Sequence, residues 1–232
     1  MSPELIVFDL AGTTVKDNHD VHRALQNALA RYGALISLDE ANTVMGIPKP
    51  LAIRTLLITC DRFHGRPITE DLVREIHHTF VEEMIHFYQQ DPSVGEKDGV
   101  SDTFRKLKER KLKVAIDTGF DRQITDSILQ RLGWVQNNLI DVSVTSDEVP
   151  RGRPYPDLIF KAMELTHVTD SKGVAKVGDT TSDLLEGNAA GCGWVIGVTT
   201  GAYTRTELLK EKHTHLIENV HEVLEIFSLN VD

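Results

Sequence analysis

Three short apolar runs in this 232-residue sequence stop on side chains that could act together on one phosphate. Leu5 to Phe8 leads into Asp9-Leu10-Ala11-Gly12-Thr13-Thr14, Val114 to Ile116 into Asp117-Thr118-Gly119, and Val174 to Val177 into Gly178-Asp179-Thr180-Thr181-Ser182-Asp183. Gly152-Arg153-Pro154 stands between the second and third, with Arg151 as the neighbouring alternative for its cation. Phosphoryl transfer is mostly positioning and charge neutralisation, so it asks for a nucleophile, a divalent ion with oxygen ligands, hydroxyl or amide donors, and a cation. Asp9 is the candidate nucleophile. A carboxylate approaches a phosphate only where a bridging cation removes the repulsion, and Mg2+ held by Asp9 and Asp179 would do so. Asp183, four residues after Asp179, could bind the ion or orient its waters. Thr118 and the Gly119 amide would hold phosphate oxygens, and Arg153 would neutralise charge developing on the phosphoryl group. Singly, each residue has a plain structural role: Asp9 in a turn, Asp183 as a helix N-terminal carboxylate, Arg153 as a surface cation. It is the four segments in this order, each at a strand end, that point to a site.

The elements that must position these residues are legible from periodicity. Leu5 to Phe8 has the continuous apolar character of a buried parallel strand, which delivers Asp9 to its C-terminal edge. Val21, Leu25, Ala28, Leu29 and Tyr32 recur at helical spacing, as do Val73, Ile76, Phe80, Met84 and Tyr88, and the stretch between them is also helical in character. Residues 15–91 therefore read as an all-helical insert. After Pro92 the pattern changes to Val114 to Ile116, Val142 to Val144, Val174 to Val177 and Trp194 to Val198. Amphipathic segments alternate with these runs at Phe104 to Leu107, Ile124 to Leu132 and Leu158 to Leu165. That alternation predicts an α/β fold with a parallel sheet covered on both faces, and a ligand site beyond the carboxyl ends of its strands. Residues 92–99, with Pro92, Gly95 and Gly99, read as the return linker. The expected division is a core of 1–14 and 92–232 with an insert of 15–91.

Composition bounds the partners. A hydrophobic content of 41% can fill a core, and a formal charge of -10 disfavours nucleic acid and anionic membrane surfaces. No apolar stretch approaches the roughly 18 residues of a membrane span, and the N-terminal run lacks a basic flank, so a cytoplasmic protein is expected. Cys60 and Cys192 match no metal or redox spacing and read as buried thiols.

The motifs resemble those of the haloacid dehalogenase superfamily over essentially the whole chain. The resemblance implies a Rossmann-like core, a helical cap inserted after the first strand, Mg2+ and an aspartyl-phosphate intermediate. Most phosphatases of that superfamily carry a second aspartate two residues after the nucleophile, where this chain has Ala11, and their usual lysine is matched by Arg153. The set Asp9-x-Ala11-Gly12-Thr13-Thr14, Gly152-Arg153-Pro154-Tyr155-Pro156 and Val177-Gly178-Asp179-Thr180-x-Ser182-Asp183 is similar to the phosphonatase-like branch. There a cap lysine forms a Schiff base, and Met45-Gly46-Ile47-Pro48-Lys49 puts Lys49 at the matching position. A carbon leaving group needs an electron sink, which a protonated imine supplies, so Ala11 and Lys49 make chemical sense together. Lys49 also has a simpler reading as an anion-binding cation.

The resemblance makes Asp9, Ala11, Asp179 and Asp183 the expected metal positions, with Gly12, Thr13, Gly119, Met45 and Gly46 at the substrate. It implies a small phosphonate or phosphate substrate and pairing into a homodimer through the cap. One departure is Ala52, three residues beyond Lys49, where phosphonatase carries a histidine. The rival expectations are a phosphate-ester hydrolase without the Schiff base and a silent binding or regulatory module.

Overall fold

In the computed structural model, which describes residues 3–228, Leu5–Phe8 is strand β1, wholly buried and hydrogen-bonded on both sides. A run of helices follows: α1 (Asp20–Arg31), α2 (Leu38–Asn42), α3 (Lys49–Thr59) and α4 (Glu70–Gln90). The remainder alternates: α5 (Val100–Glu109), β2 (Lys113–Thr118), α6 (Arg122–Leu132), β3 (Val142–Thr145), α7 (Asp157–Thr166), β4 (Val174–Gly178), α8 (Thr181–Ala190) and β5 (Trp194–Val198). Short elements complete it: α9 (Arg205–Leu208), β6 (His215–Ile217) and α10 (Val223–Ile226). The fold is a Rossmann-like α/β sheet flanked by helices. Among the described residues it has six strands in the order β3-β2-β1-β4-β5-β6, every neighbouring pair parallel.

This order is what builds the site. β1 lies between β2 and β4, and Phe8 is level with Ile116 on one side and Val177 on the other. The next residues along the three strands are therefore Asp9, Asp117 and Gly178, side by side at the carboxyl edge where ligands of such sheets bind. Strand β6 was not foreseen, because His215–Ile217 is a short edge strand whose first residue is exposed, and no apolar run marks it.

Each face of the sheet has its own core. Ile6, Phe8, Val114 and Ile116 pack with Phe104 and Trp134, whereas Leu5, Val7, Ala115 and Val144 pack with Leu158, Ile159 and Leu184 from α7 and α8. Both cysteines are buried and unbonded. No helix is long and apolar enough to cross a membrane among the described residues.

The chain leaves and re-enters the sheet region through two antiparallel segments. Val15 bridges Glu96, with Lys16 N–H donating to Gly95 O at 3.0 Å and Lys97 N–H to Thr14 O at 2.9 Å. Beyond this ribbon the 45–48 loop returns to the strand ends. A Cβ on Gly119 would stand 2.8 Å from the carbonyl of Ile47, and one on Gly46 would run into the Thr180 hydroxyl. These contacts leave room only for glycine, so the loop before Lys49 rests directly on the loops after β2 and β4.

Candidate active site

Asp9 follows β1 directly, and its N–H donates to Val177 O at 2.9 Å, which holds it on the sheet edge. Its Oδ1 accepts from Arg153 Nη1 at 2.6 Å. Arg153 is buried and donates hydrogen bonds from Nε, Nη1 and Nη2, which fixes the guanidinium plane. Nη1 also pairs with Asp183 Oδ1 at 3.0 Å, Nε with Glu186 at 3.0 Å, and Nη2 with the carbonyl of Asp117 at 2.9 Å and with its carboxylate. Arg151, the alternative cation, lies outside on the surface, paired with Asp157 and over the Tyr155 ring.

Asp183 has a double role. As the third residue of α8 it forms a reciprocal cap with Thr180, accepting on Oδ2 from the Thr180 N–H at 3.1 Å and hydroxyl at 2.6 Å. That leaves Oδ1 turned to Arg153 and Lys176. Asp179, fully buried, accepts from the Thr13 hydroxyl at 2.7 Å and the Ala202 N–H at 2.6 Å.

The sequence reading missed a second cation. Lys176 lies in the middle of β4, where Val7 is its neighbour, and its side chain points to the α8 side of the sheet. Its ammonium binds Asp117, Asp183 at 3.1 Å and Glu186 at 3.1 Å. Two cations thus face Asp9, Asp117, Asp179, Asp183 and Glu186, all at most 5% exposed. That excess of negative charge has electrostatic consequences. Burial, then repulsion from Asp9 and Asp183, pushes Asp179 up to about 8. Burial, then Asp117, pushes Glu186 up to about 8. Burial raises Asp9 against the pull of Arg153, while Asp117 is held below the usual carboxylate range because Arg153 and Lys176 outweigh its burial.

The donor set suits a hard divalent cation. Oxygens of Asp9, Asp117 and Asp183 lie within 4.8 Å of one another, one oxygen of Asp117 has no hydrogen-bond partner, and the cluster is short of positive charge. Asp117 joins this group unforeseen. Asp179 and Ala11 line the adjoining cleft, Ala11 with only its carbonyl to offer.

The cleft over Asp9 is small, about 30 Å³, and is walled by Met45, Gly46, Lys49, Thr118, Gly119 and Arg153, all of them expected. Asp17 and Phe120 also line it and were not expected. Gly12 and Thr13, expected at the substrate, stand one layer back, against the Asp179 carboxylate. Gly12 has φ +88°, and a Cβ there would run into Asp179. Gly12→Ala is therefore expected to cost about 1–3 kcal/mol of stability and to displace Asp179, read as a lower denaturant midpoint together with a loss of hydrolase activity.

Lys49 opens α3 and is 3% exposed. Its amine lies 3.4 Å from the Ile47 carbonyl and 5.5 Å from the centre of the Phe120 ring. Burial lowers its pKa to about 8, the pull of Asp9 opposing and Arg153 reinforcing the shift. Ala52, one turn along α3, is buried and offers no proton.

The sequence model of haloacid dehalogenase-like hydrolases matches residues 6–197. A phosphonoacetaldehyde hydrolase of Bacillus mycoides is 35% identical over 214 residues, covering 87% of this chain and 78% of its own length. Another, from Bacillus cereus, is 32% identical over 99% of this chain and 90% of its own. Among solved structures, a phosphonoacetaldehyde hydrolase-like protein from Oleispira antarctica superposes with a TM-score of 0.87 at 22% identity, covering 98% of this chain and 92% of its own. A hydrolase from Pseudomonas syringae gives 0.84 at 20%, covering 99% and 100%, and these two likenesses speak for the fold alone. The strand-end carboxylates, the buried arginine and the match over 6–197 together make this chain a member of the haloacid dehalogenase-like hydrolases.

Proposed function

We propose that this enzyme cleaves the carbon–phosphorus bond of a small 2-oxoalkyl phosphonate such as phosphonoacetaldehyde, with Asp9 as nucleophile and Lys49 as the amine that forms a Schiff base. The observation that carries this reading is the buried Lys49 amine in the same cleft as Asp9, with a pKa of about 8. At pH 7 about a tenth of such an amine is free, against roughly three parts in ten thousand at its ordinary value. An anion-binding lysine gains nothing from that depression; an imine-forming one does.

Helices α1–α4 act in this reading as a cap that closes the cleft over the strand ends. Lys49 condenses with the oxo group, Asp9 attacks phosphorus, and the carbon–phosphorus electrons move into the protonated imine to leave as an enamine. Ala11 is then no deficit, since no alkoxide needs an acid. Thr118 and the Gly119 amide hold phosphoryl oxygens, and Arg153 keeps its Nη1 beside Asp9 where charge develops. Bound at Asp9 and Asp183 with Asp179 or Asp117, Mg2+ would neutralise the phosphoryl group as Asp9 approaches. Water finally attacks the aspartyl phosphate and restores Asp9.

Borohydride added during turnover should label Lys49, located by peptide mass, and Lys49→Ala should remove the label and phosphonate cleavage together. kcat/KM on the oxo-phosphonate should rise about tenfold per pH unit below the Lys49 pKa of about 8 and level off above it, because only the free amine adds to a carbonyl. An unlabelled Lys49, with activity surviving its removal, would assign the chain instead to hydrolysis of phosphate esters with good leaving groups.

A further inference from the structure

A Schiff base with a 2-oxoalkyl phosphonate needs protons moved beside Lys49. The amine adds to the carbonyl carbon, and the oxygen departs as water carrying one proton from the amine and one from solvent. After Asp9 takes the phosphoryl group, the enamine carbon takes up a proton, and water then adds to release the carbonyl product and the amine. Ala11, Ala52 and Phe120 cannot carry any of these protons, and Asp9 is committed to phosphorus.

Two polar atoms on the helices of the insert are buried without partners. His22, on α1, is 1% exposed; its Nε2 lies 2.9 Å from Asn42 Oδ1, and its Nδ1 has no hydrogen-bond partner. The amide oxygen of Asn42 only accepts, so Nε2 carries the proton and Nδ1 presents a bare lone pair. On α4, which packs against α1, the hydroxyl of Tyr88 is equally buried and equally unpartnered. An orphaned buried acceptor and an orphaned buried donor are each destabilising, which points to a water or substrate oxygen that satisfies them.

Both are joined to the wall of the cleft. The Tyr88 ring meets Phe120 edge-on at 6.2 Å between centroids, and the Lys49 amine lies 5.5 Å from that same Phe120 ring. Asn42, the partner of His22, accepts on its carbonyl from the N–H of Met45 at 3.2 Å, and Met45 lines the cleft together with Val21 and Asp17. Asp17 acts on the charge of both His22 and Tyr88, and Lys49 on that of His22. Burial lowers the pKa of His22 and raises that of Tyr88, leaving a neutral acceptor and a neutral donor.

We propose that His22, held in one tautomer by Asn42, is a positioning residue that together with the Tyr88 hydroxyl holds the water relaying protons to and from the Lys49 imine. It does for Lys49 what Ala52 cannot do. The proposal rests on the Schiff-base reading of Lys49, and its test keeps the two apart.

His22→Gln is assayed on phosphonoacetaldehyde and on p-nitrophenyl phosphate, whose leaving group needs neither imine nor acid, with borohydride trapping of Lys49 followed in single turnover. The expected result is a fall of about 10²-fold in kcat on the phosphonate, slower trapping, and ester hydrolysis within twofold of the parent. Asn42→Ala, which frees the tautomer but keeps the imidazole, should show a smaller loss with the same split between substrates. Equal losses on both substrates, or no loss on the phosphonate while Lys49 still traps, would overturn the role of His22 and leave Lys49 untouched. Failure of the parent protein to trap would remove the Schiff-base reading itself, and this inference with it.

Discussion

Asp9→Asn should reduce turnover by a factor on the order of 10⁴ to 10⁶ while leaving the fold intact. Asparagine has nearly the same volume, and its amide oxygen can still accept from Arg153 Nη1, which lies 2.6 Å from the carboxylate. Arg153 also keeps its bonds to Asp117, Asp183 and Glu186. What is lost is the negative oxygen that would bond to phosphorus. Acid quenching of the parent enzyme with radiolabelled phosphoryl substrate should trap label on protein, and the variant should trap none. Residual turnover of a few per cent, with the label still found on protein, would rule Asp9 out as nucleophile.

The second large effect is on stability. Arg153→Met should destabilise the protein by about 3–5 kcal/mol and abolish activity. Removal of this side chain leaves Asp9, Asp117, Asp183 and Glu186 with Lys176 as the one buried cation of the network, all of them out of water. Part of the loss is softened because Asp9 and Glu186, already raised by burial, can take up protons. For a chain of this length the expected fall in Tm is roughly 2–4 °C per kcal/mol, so the midpoint should drop by roughly 6–20 °C. Arg151→Met is the control. Its guanidinium is on the surface, bonded to Asp157 and stacked over Tyr155, and little change in Tm is expected. Similar midpoints for the two variants would mean that the buried network contributes nothing to the fold.

The two substitutions separate what neighbouring residues do. Asp9 and Arg153 touch, yet one should change chemistry with little change in stability and the other should change both. The difference lies in how each charge is compensated. Asp9 is one of several partners of Arg153, whereas Arg153 pairs with all four of Asp9, Asp117, Asp183 and Glu186, and Lys176 with only the last three.

Much of this site is written locally. An apolar run that stops at a carboxylate reads as a strand delivering that carboxylate to a sheet edge, and Asp9, Thr118 and Asp179 follow from that pattern alone. The helical periodicity of Val21 to Tyr32 and Val73 to Tyr88 likewise reports faces that one element buries. Lys49 was recognised by its motif, and Asp183 by its spacing from Asp179. Lys176, Glu186 and His22 were not legible in the same way, nor was the pairing of Asp117 with Arg153 and Lys176. A lysine inside Val174 to Val177 looks like an interruption, and a glutamate on α8 like a solvated residue, until β4 and α8 are laid against each other.

What the sequence determined by itself is therefore which side chains arrive at the carboxyl edge of the sheet, because that depends on strand and turn patterns a few residues long. Only the tertiary structure decided which charges are dry, which are paired, and that Lys49, in the cleft wall, and His22 are buried. Those properties come from contacts across long separations, 144 residues from Arg153 to Asp9, 59 from Lys176 to Asp117 and 20 from His22 to Asn42. Burial sets the energy of a charge, and no local pattern records what will pack against it.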